Sequence, residues 1–293
     1  MKHALKSQFK LLAVVCALSA SAVRADSGSD LGPSLTDAPA KPAATDAAAA
    51  GNNTADLAKT LANPIGALIS VPFQNNFDYG GGPNGDGYQY KLNLQPIIPF
   101  TLNKDWLILS RTILPLVDQK NIVGTSSQSG LADTVQSFFL SPTKPTKGGW
   151  IWGAGAAFLL PTATDDLLGA KKWGAGPTAV VLKQENGWTY GALVNHIWSF
   201  AGESGRADVS ATFLQPFVSF TTRKAMTFTL NTESTYDWVG KQWTIPLNLM
   251  VQQVMKFGKQ PVAFVLGGRY YADKPDGGPT WGFRFAVIFL FPK

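Results

Sequence analysis

The 293-residue sequence holds one cysteine, Cys16, and two histidines. Cys16 and His3 both fall in an N-terminal leader. Once that leader is removed the chain has no disulfide, no thiol nucleophile and no cysteine metal site. His196 is then without a second histidine, so a histidine metal cluster is not expected, and neither is any other cofactor. Charge is also scarce: 15% of residues are charged, where about 25% is usual for soluble domains. The formal excess of +6 is spread over single residues with no basic run, which argues against nucleic acid as a partner. After the N-terminus no apolar run is long enough for a membrane-spanning helix.

What is present begins with an export signal. Lys2, Lys6 and Lys10 precede a short apolar core, Leu11 to Leu18, and small residues follow. The stretch "VRA" ending at Ala25 fits a cleavage site, with "ASA" ending at Ala22 as the alternative. The apolar core is too short to anchor the chain. Val15 before Cys16 is bulky where a lipoprotein leader needs a small residue. The domain reading is therefore a signal peptide at 1–25, a disordered tail at 26–63 and a barrel at 64–293. Residues 26–54 are mostly Ala, Pro, Ser, Asp and Gly and have little apolar surface to bury. "ADLAKTLANP" (55–64) carries a short helix pattern that stops at Pro64, placed either in the periplasm or in a barrel mouth.

From Pro64 the apolar period changes to two. Twelve strands are predicted, near 65–76, 87–101, 104–117, 130–142, 149–161, 173–184, 187–200, 207–222, 225–238, 243–257, 261–273 and 280–292. Most exceed the five or six residues typical of soluble strands and match the roughly 9–11 residues that cross a bilayer at a tilt. Short links such as "ENG" and "TRK" alternate with longer ones such as "TATDDLLGAKK" and "AGESGRA". Short periplasmic turns alternating with long extracellular loops are the habit of outer-membrane barrels. The fold class expected is all-β: an antiparallel transmembrane β-barrel of about 12 strands with a disordered N-terminal tail.

The direction of the apolar face decides between lipid and a soluble core. In 225–238, Phe228, Leu230, Tyr236 and Trp238 share one parity. Thr227, Thr229, Asn231, Glu233, Thr235 and Asp237 share the other. In "YQYKLNLQPIIPF" (88–100), Tyr88, Leu92 and Phe100 oppose Gln89, Lys91 and Asn93. The polar faces carry Asn, Gln, Thr and single charges instead of the Lys and Glu of a wetted soluble sheet. Trp and Tyr cluster near strand ends, as they do at membrane interfaces. The apolar face is therefore read as facing lipid, with the bilayer as partner. A soluble β-sandwich is the alternative. Asp133 breaks the pattern, and either lies above the hydrocarbon or marks a register slip. Residues 187–200 are apolar on both faces.

By parity the inward charges are Lys91, Arg111, Glu233, Asp237, Lys256, Arg269 and Arg284. They form either a selectivity lining or a set of structural braces. Catalytic residues are not expected: a hydrolase would need His196 with a serine such as Ser199, and no motif surrounds them. Gly80 to Gly85 matches G-x-G-x-x-G in letters, but antiparallel strands flank it, so it is read as a loop.

Several stretches carry a resemblance: "LANPIGALISVPFQNNFDYG" (61–80), "LQPIIPF" (94–100), "GLADTVQSFFLSP" (130–142), "FLLPTATDDLLGAKKWGAGPTAVVLKQ" (158–184) and "GALVNHIWSF" (191–200). On these the chain resembles bacterial outer-membrane "transporter" proteins often mislabelled neuromedin U. It is similar to the outer-membrane family associated with meta-pathway phenol degradation. That family usually reads Gly-Leu-Gly-Asp where this chain has Ala132 in place of the second Gly. The resemblance implies a β-barrel and transport, and supplies no substrate or site residues. The expectation is an outer-membrane channel passing small solutes, anionic or aromatic, through a narrow polar lumen that loops or residues 55–64 can plug. The alternatives are an outer-membrane enzyme and a barrel with a closed lumen. The barrel insertion machinery is a further expected partner. It would read the C-terminal strand, where Phe291 precedes Pro292 and Lys293.

Overall fold

The computed structural model describes residues 54–124 and 126–292. The expected leader and the tail up to residue 53 lie outside the described residues. Among the described residues one helix, α1 (Thr54–Leu61), precedes fifteen strand segments. They are β1 (Ile69–Gly81), β2 (Gly87–Leu94), β3 (Ile97–Thr101), β4 (Trp106–Lys120), β5 (Ser127–Leu131), β6 (Thr134–Pro142), β7 (Trp150–Leu160) and β8 (Lys172–Glu185). Then follow β9 (Trp188–Gly202), β10 (Ser210–Thr221), β11 (Met226–Thr232), β12 (Ser234–Asp237), β13 (Gln242–Phe257), β14 (Gln260–Asp273) and β15 (Trp281–Phe291). Three neighbouring pairs, β2/β3, β5/β6 and β11/β12, are single strands interrupted by one or two residues, so the barrel has twelve strands.

Every pairing is antiparallel, and β1 pairs with β15 over Ile69–Tyr79, which closes the sheet without a free edge. Closure matters because an unpaired backbone N–H or C=O in hydrocarbon costs several kcal/mol. The short turns gather at the end of the barrel that carries Phe291 (the turn end), and the longer links at the other (the loop end). The turn between β8 and β9 uses Asn186 and Gly187, with φ of 51° and 85°. Both values are positive, as a two-residue hairpin turn requires, and Asn-Gly tolerates them. At the loop end Gly80, Gly82 and Gly85 also have positive φ. A Cβ on Gly82 would collide with the Asn121 carbonyl. These glycines serve a tight loop, as the antiparallel context predicted.

The first strand departs from expectation. It runs from Ile69 to Gly81 instead of 65–76, and residues 62–68 belong with α1. Asp78, Tyr79, Gly80 and Gly81 read as a loop by composition, yet the pairing with β2 and β15 continues through Tyr79. Asp133 marks a true register slip. Between the pairs Leu116↔Leu131 and Ile113↔Val135, three steps on β4 oppose four on β5/β6. The Asp133 carboxylate accepts the backbone N–H of Ala163 at 3.2 Å and of Ala170 at 2.6 Å, which folds loop 161–171 onto the bulge. A Cβ on Gly130 would strike the Thr164 hydroxyl, so this docking also needs that glycine. Arg206 donates to the carbonyls of Asp166 (2.8 Å) and Gly169 (2.5 Å) and secures the far side of the loop. Lys171 pairs with Asp166 at 2.8 Å. Its hydrogen bond holds that carboxyl below the usual aspartate range.

The outer wall is apolar, with Leu249, Leu266, Phe228, Leu230 and Phe285 among its exposed side chains. The tryptophans stand in two tiers. Trp106, Trp150, Trp152 and Trp188 lie toward the turn end; Trp173, Trp198, Trp238, Trp243 and Trp281 lie toward the loop end. Ring contacts tie each tier together, such as Trp106–Trp152 at 6.0 Å and Tyr236–Trp238 at 4.8 Å. The wall therefore has the two aromatic girdles that the sequence predicted.

Two outcomes test this wall. Leu266 is 64% exposed at the middle of β14. Leu266→Arg should lower folding stability in lipid vesicles by about 2–4 kcal/mol in a urea titration, as a charge at the bilayer midplane does. Asp133→Ala should leave the barrel heat-modifiable but make loop 161–171 cleave faster under limited proteolysis.

Candidate functional site

The lumen is built from alternate residues of every strand. Toward the loop end, Gln89, Gln119 and Gln128 stand in register on three strands. They bond in sequence at 2.6 and 2.9 Å. At mid-height a charged belt crosses the lumen. Arg284 on β15 donates two parallel bonds of 2.8 Å to Glu233, in the break between β11 and β12. Arg269 on β14 reaches Asp78 on β1 at 3.2 Å and Glu233 at 3.9 Å. Its ring neighbour is Tyr271, with the guanidinium carbon 5.4 Å from the centroid.

Register explains this geometry. Asp78 lies opposite Gly282, and Gly282 lies opposite Arg269. The missing side chain in the middle strand leaves a gap through which Arg269 and Asp78 meet. A Cβ on Gly282 would come within 2.3 Å of Asp78 Oδ1. Asparagines fill the remaining positions. Asn76 Oδ1 accepts from Arg284 Nε at 2.8 Å and from Arg269 at 3.1 Å. Asn248 Oδ1 accepts from Arg269 Nε at 3.0 Å, and its own amide donates to Asn231 at 2.8 Å. Asp78, Asn76 and Arg284 are each at most 3% exposed. Desolvating charges is unfavourable unless they are paired. Arg284 is paired with Glu233 and Asp78 Oδ2 with Arg269, while Asp78 Oδ1 has no hydrogen-bond partner among the described residues.

Of the seven predicted lumen charges, five join this region: Lys91, Arg111, Glu233, Arg269 and Arg284. Two do not. Asp237 ends β12 at the loop rim, where its carboxylate accepts the Val239 N–H at 2.9 Å. Lys256 is exposed near the turn rim at the end of β13. Parity gave the right face for both but not the height along the strand. Asp78 was missed because its neighbours read as a loop. Asn76, Asn231 and Asn248 were missed because an inward amide has no sequence signal separating a hub from a wetted wall.

The turn end of the lumen is filled. Leu57 and Ala58 of α1 pack with Val254, Val265, Ala286, Ile288 and Leu290. Ile65 packs with Leu107, Leu109, Phe139, Val180, Leu182 and Leu193. Leu193 lies on the strand whose two faces are both apolar, which explains that pattern. Gly153 leaves room for Ile65, whose Cδ1 would lie 3.4 Å from an added Cβ. Gln184 Nε2 donates to the Lys59 carbonyl at 2.8 Å and fastens α1 to the wall. The helix predicted at 55–64 is thus a plug in the barrel mouth.

Cavities remain among the described residues, two of them beside the belt. One of about 210 Å³ lies between the plug and the belt, bounded by Leu61, Pro64, Glu233 and Arg284 among others. The second, about 250 Å³, lies toward the loop end and is lined largely by Ile113, Val135, Leu159, Ile197, Val209 and Phe213. Arg111 lines both.

His196 points to the outer wall. Its Nδ1 lies 2.7 Å from Thr212 Oγ1, which also accepts from Trp238 Nε1 at 2.8 Å, and its ring meets that of Trp198 at a tilt, with centroids 4.0 Å apart. Ser199, the serine considered with it, has the opposite parity and donates to Asp208 at 3.2 Å. Ser210 Oγ stands 3.5 Å from Nε2, the outer limit for a hydrogen bond, and among the described residues no carboxylate bonds the ring. His196 belongs to the loop-end girdle. Among the described residues no group of three or more His, Cys, Asp or Glu could hold a metal ion.

No family model matches the chain, and no curated protein does. Solved structures do. The chain is similar to an outer membrane channel from Pseudomonas putida F1, with a TM-score of 0.59 and 16% identity over 78% of this chain and 96% of that one. The fold is that of an outer-membrane β-barrel. Outer membrane phospholipase A from Escherichia coli matches less well, at a TM-score of 0.42 and 12% identity over 83% of this chain and 98% of that one. A bacterial polysaccharide outer membrane secretin gives 0.38 and 9% over 77% and 99%.

The belt makes a direct prediction. Arg284→Ala leaves the half-buried Glu233 with Arg269 at 3.9 Å as its nearest cation and should cost up to about 3–5 kcal/mol of folding stability in urea titrations, the usual loss when one member of a buried pair is removed.

Proposed function

We propose that this chain is an outer-membrane channel for passive passage of small solutes through a narrow polar lumen, and not an enzyme. The observation that carries the reading is a charged belt inside a wall that is apolar outside, with Glu233 and Arg284 lining one cavity and Arg111 lining two. Lys91, Arg111, Arg269 and Arg284 face the carboxylates of Asp78 and Glu233. Four cations against two anions leave two positive charges. A fixed positive excess in a water-poor pore raises the local concentration of anions and repels cations. Part of the belt also braces the barrel, so the two readings of the inward charges apply to different residues. Arg269 and Arg284 brace, while Lys91 and Arg111 make no direct bond to a carboxylate.

The location follows from the same features. The export signal and the girdled wall support insertion in the outer membrane by the barrel insertion machinery, with the loop end outward. The sequence resemblance to outer-membrane transporters of the meta-pathway phenol degradation type supports a transport role. Twelve strands fall between eight, whose interior is filled by side chains, and sixteen, which leave an open channel. The plug narrows the pore further.

Planar-bilayer recording of the detergent-purified protein under a salt gradient tests the reading. Small discrete current steps with a reversal potential toward anions are expected. Deleting residues 54–63 should raise the step size, because α1 occupies the turn-end mouth. A folded, heat-modifiable barrel that gives no steps in either form would sink the proposal.

A further inference from the structure

We infer that Arg111 anchors a binding subsite for small monocarboxylates with an apolar body, such as an aromatic or short-chain acid. Its place in transport rests on the channel reading above; its capacity to bind does not.

The inference starts from how the lumenal arginines are used. A guanidinium keeps its charge and offers five donors in a planar fork that matches a carboxylate. Arg284 spends its fork on Glu233 and Asn76. Arg269 spends its fork on Asp78, Asn76 and Asn248. The Arg111 guanidinium has no hydrogen bond and no ion pair within 4.0 Å to any described residue. Glu233 acts on it only through space, because both Glu233 oxygens are taken by Arg284.

The surroundings make that free fork costly. Along β4 its inward neighbours are Leu109 and Ile113, and across the sheet it lies opposite Ile97 and Ser137. Ser137 is the one polar group in that set. Polar side chains such as Gln95 and Gln215 share the plug-side cavity with Arg111, but beside its apolar wall neighbours a half-buried cation has lost part of its hydration and gains from an incoming anion. The position adds to this. Arg111 lines both cavities, so a solute moving from the loop-end cavity toward the plug must pass it.

The loop-end cavity then selects the rest of the ligand. At about 250 Å³ it is smaller than the roughly 300–1,000 Å³ of sites for drug-sized molecules. Beside Arg111 its lining is mostly aliphatic or aromatic, with Ser137, Asn195 and Thr235 as polar points. Such a cavity suits one negative end and one apolar end. A second charge, as in phosphate or a dicarboxylate, would have to be buried against Ile113 and Phe213 without a partner. A neutral alcohol of the same shape would fill the cavity but leave the guanidinium unpaired.

Isothermal titration of the detergent-solubilised full-length mature barrel is the test, with benzoate, benzyl alcohol and inorganic phosphate as probes. Benzoate should bind roughly tenfold or more tightly than benzyl alcohol, the margin expected for a charge-assisted bidentate contact. Arg111→Gln should erase the difference, and Arg111→Lys should keep part of it, since charge remains but the fork is lost. Ala211→Trp, which fills the loop-end cavity while leaving Arg111 in place, should also remove benzoate binding, so the test survives if Arg111→Gln fails to fold. Equal affinity for benzoate and benzyl alcohol in the unaltered protein would overturn the subsite, and so would phosphate binding as tightly as benzoate. Benzoate binding without bilayer current would sustain the subsite and overturn the channel reading. Current without benzoate binding would do the reverse.

Discussion

Closure of the hydrogen-bonded sheet is the constraint on which the rest of this molecule depends. Hydrocarbon offers no partner to a backbone amide, so every strand must have two neighbours. The pairing of Ile69–Tyr79 with Trp281–Phe291 supplies the last seam. Once the seam is made, alternate side chains are committed either to lipid or to the lumen. The apolar stripe faces outward and the polar residues face one another inside.

Closure with twelve strands creates a second problem. The interior is too wide for wall side chains alone to fill it as they do in the smallest barrels, yet too narrow for bulk water to screen every charge. The chain meets this in two ways. Near the turn end, α1 and Ile65 supply the apolar filling that the wall lacks, and Gly153 yields the space for it. At mid-height, arginine, carboxylate and asparagine side chains satisfy one another across the lumen. Each member of that belt is unfavourable alone, and the set is stable because nearly every donor finds an acceptor. Arg111 stands outside that mutual satisfaction, which is why it, and neither Arg269 nor Arg284, has capacity left for a solute.

The same contrast separates function from architecture. Breaks in the strands fall where the lumen is specialised: Gln95 and Pro96 beside Ile97, Ala132 and Asp133 under loop 161–171, and Glu233 in the belt. A regular ladder would hold these groups in the wall. The interruptions free Asp133 to collect loop amides and place Glu233 where two arginines reach it.

The sequence by itself determined the wall. Strand number, most strand bounds, the outward direction of Tyr88, Leu92 and Phe100, and the tiers of tryptophan all follow from a period of two and from turn composition, which are local properties. Parity also put Lys91, Arg111, Glu233, Arg269 and Arg284 on the inner face. Only the tertiary structure decided which of them meet. Asn76 and Arg284 lie 208 positions apart and touch because the first strand closes on the last. Asp78 reaches Arg269 only because Gly282 stands between them. Height along the barrel, stagger between strands and the inward turn of α1 are set by closure of the whole chain, and no local pattern encodes them.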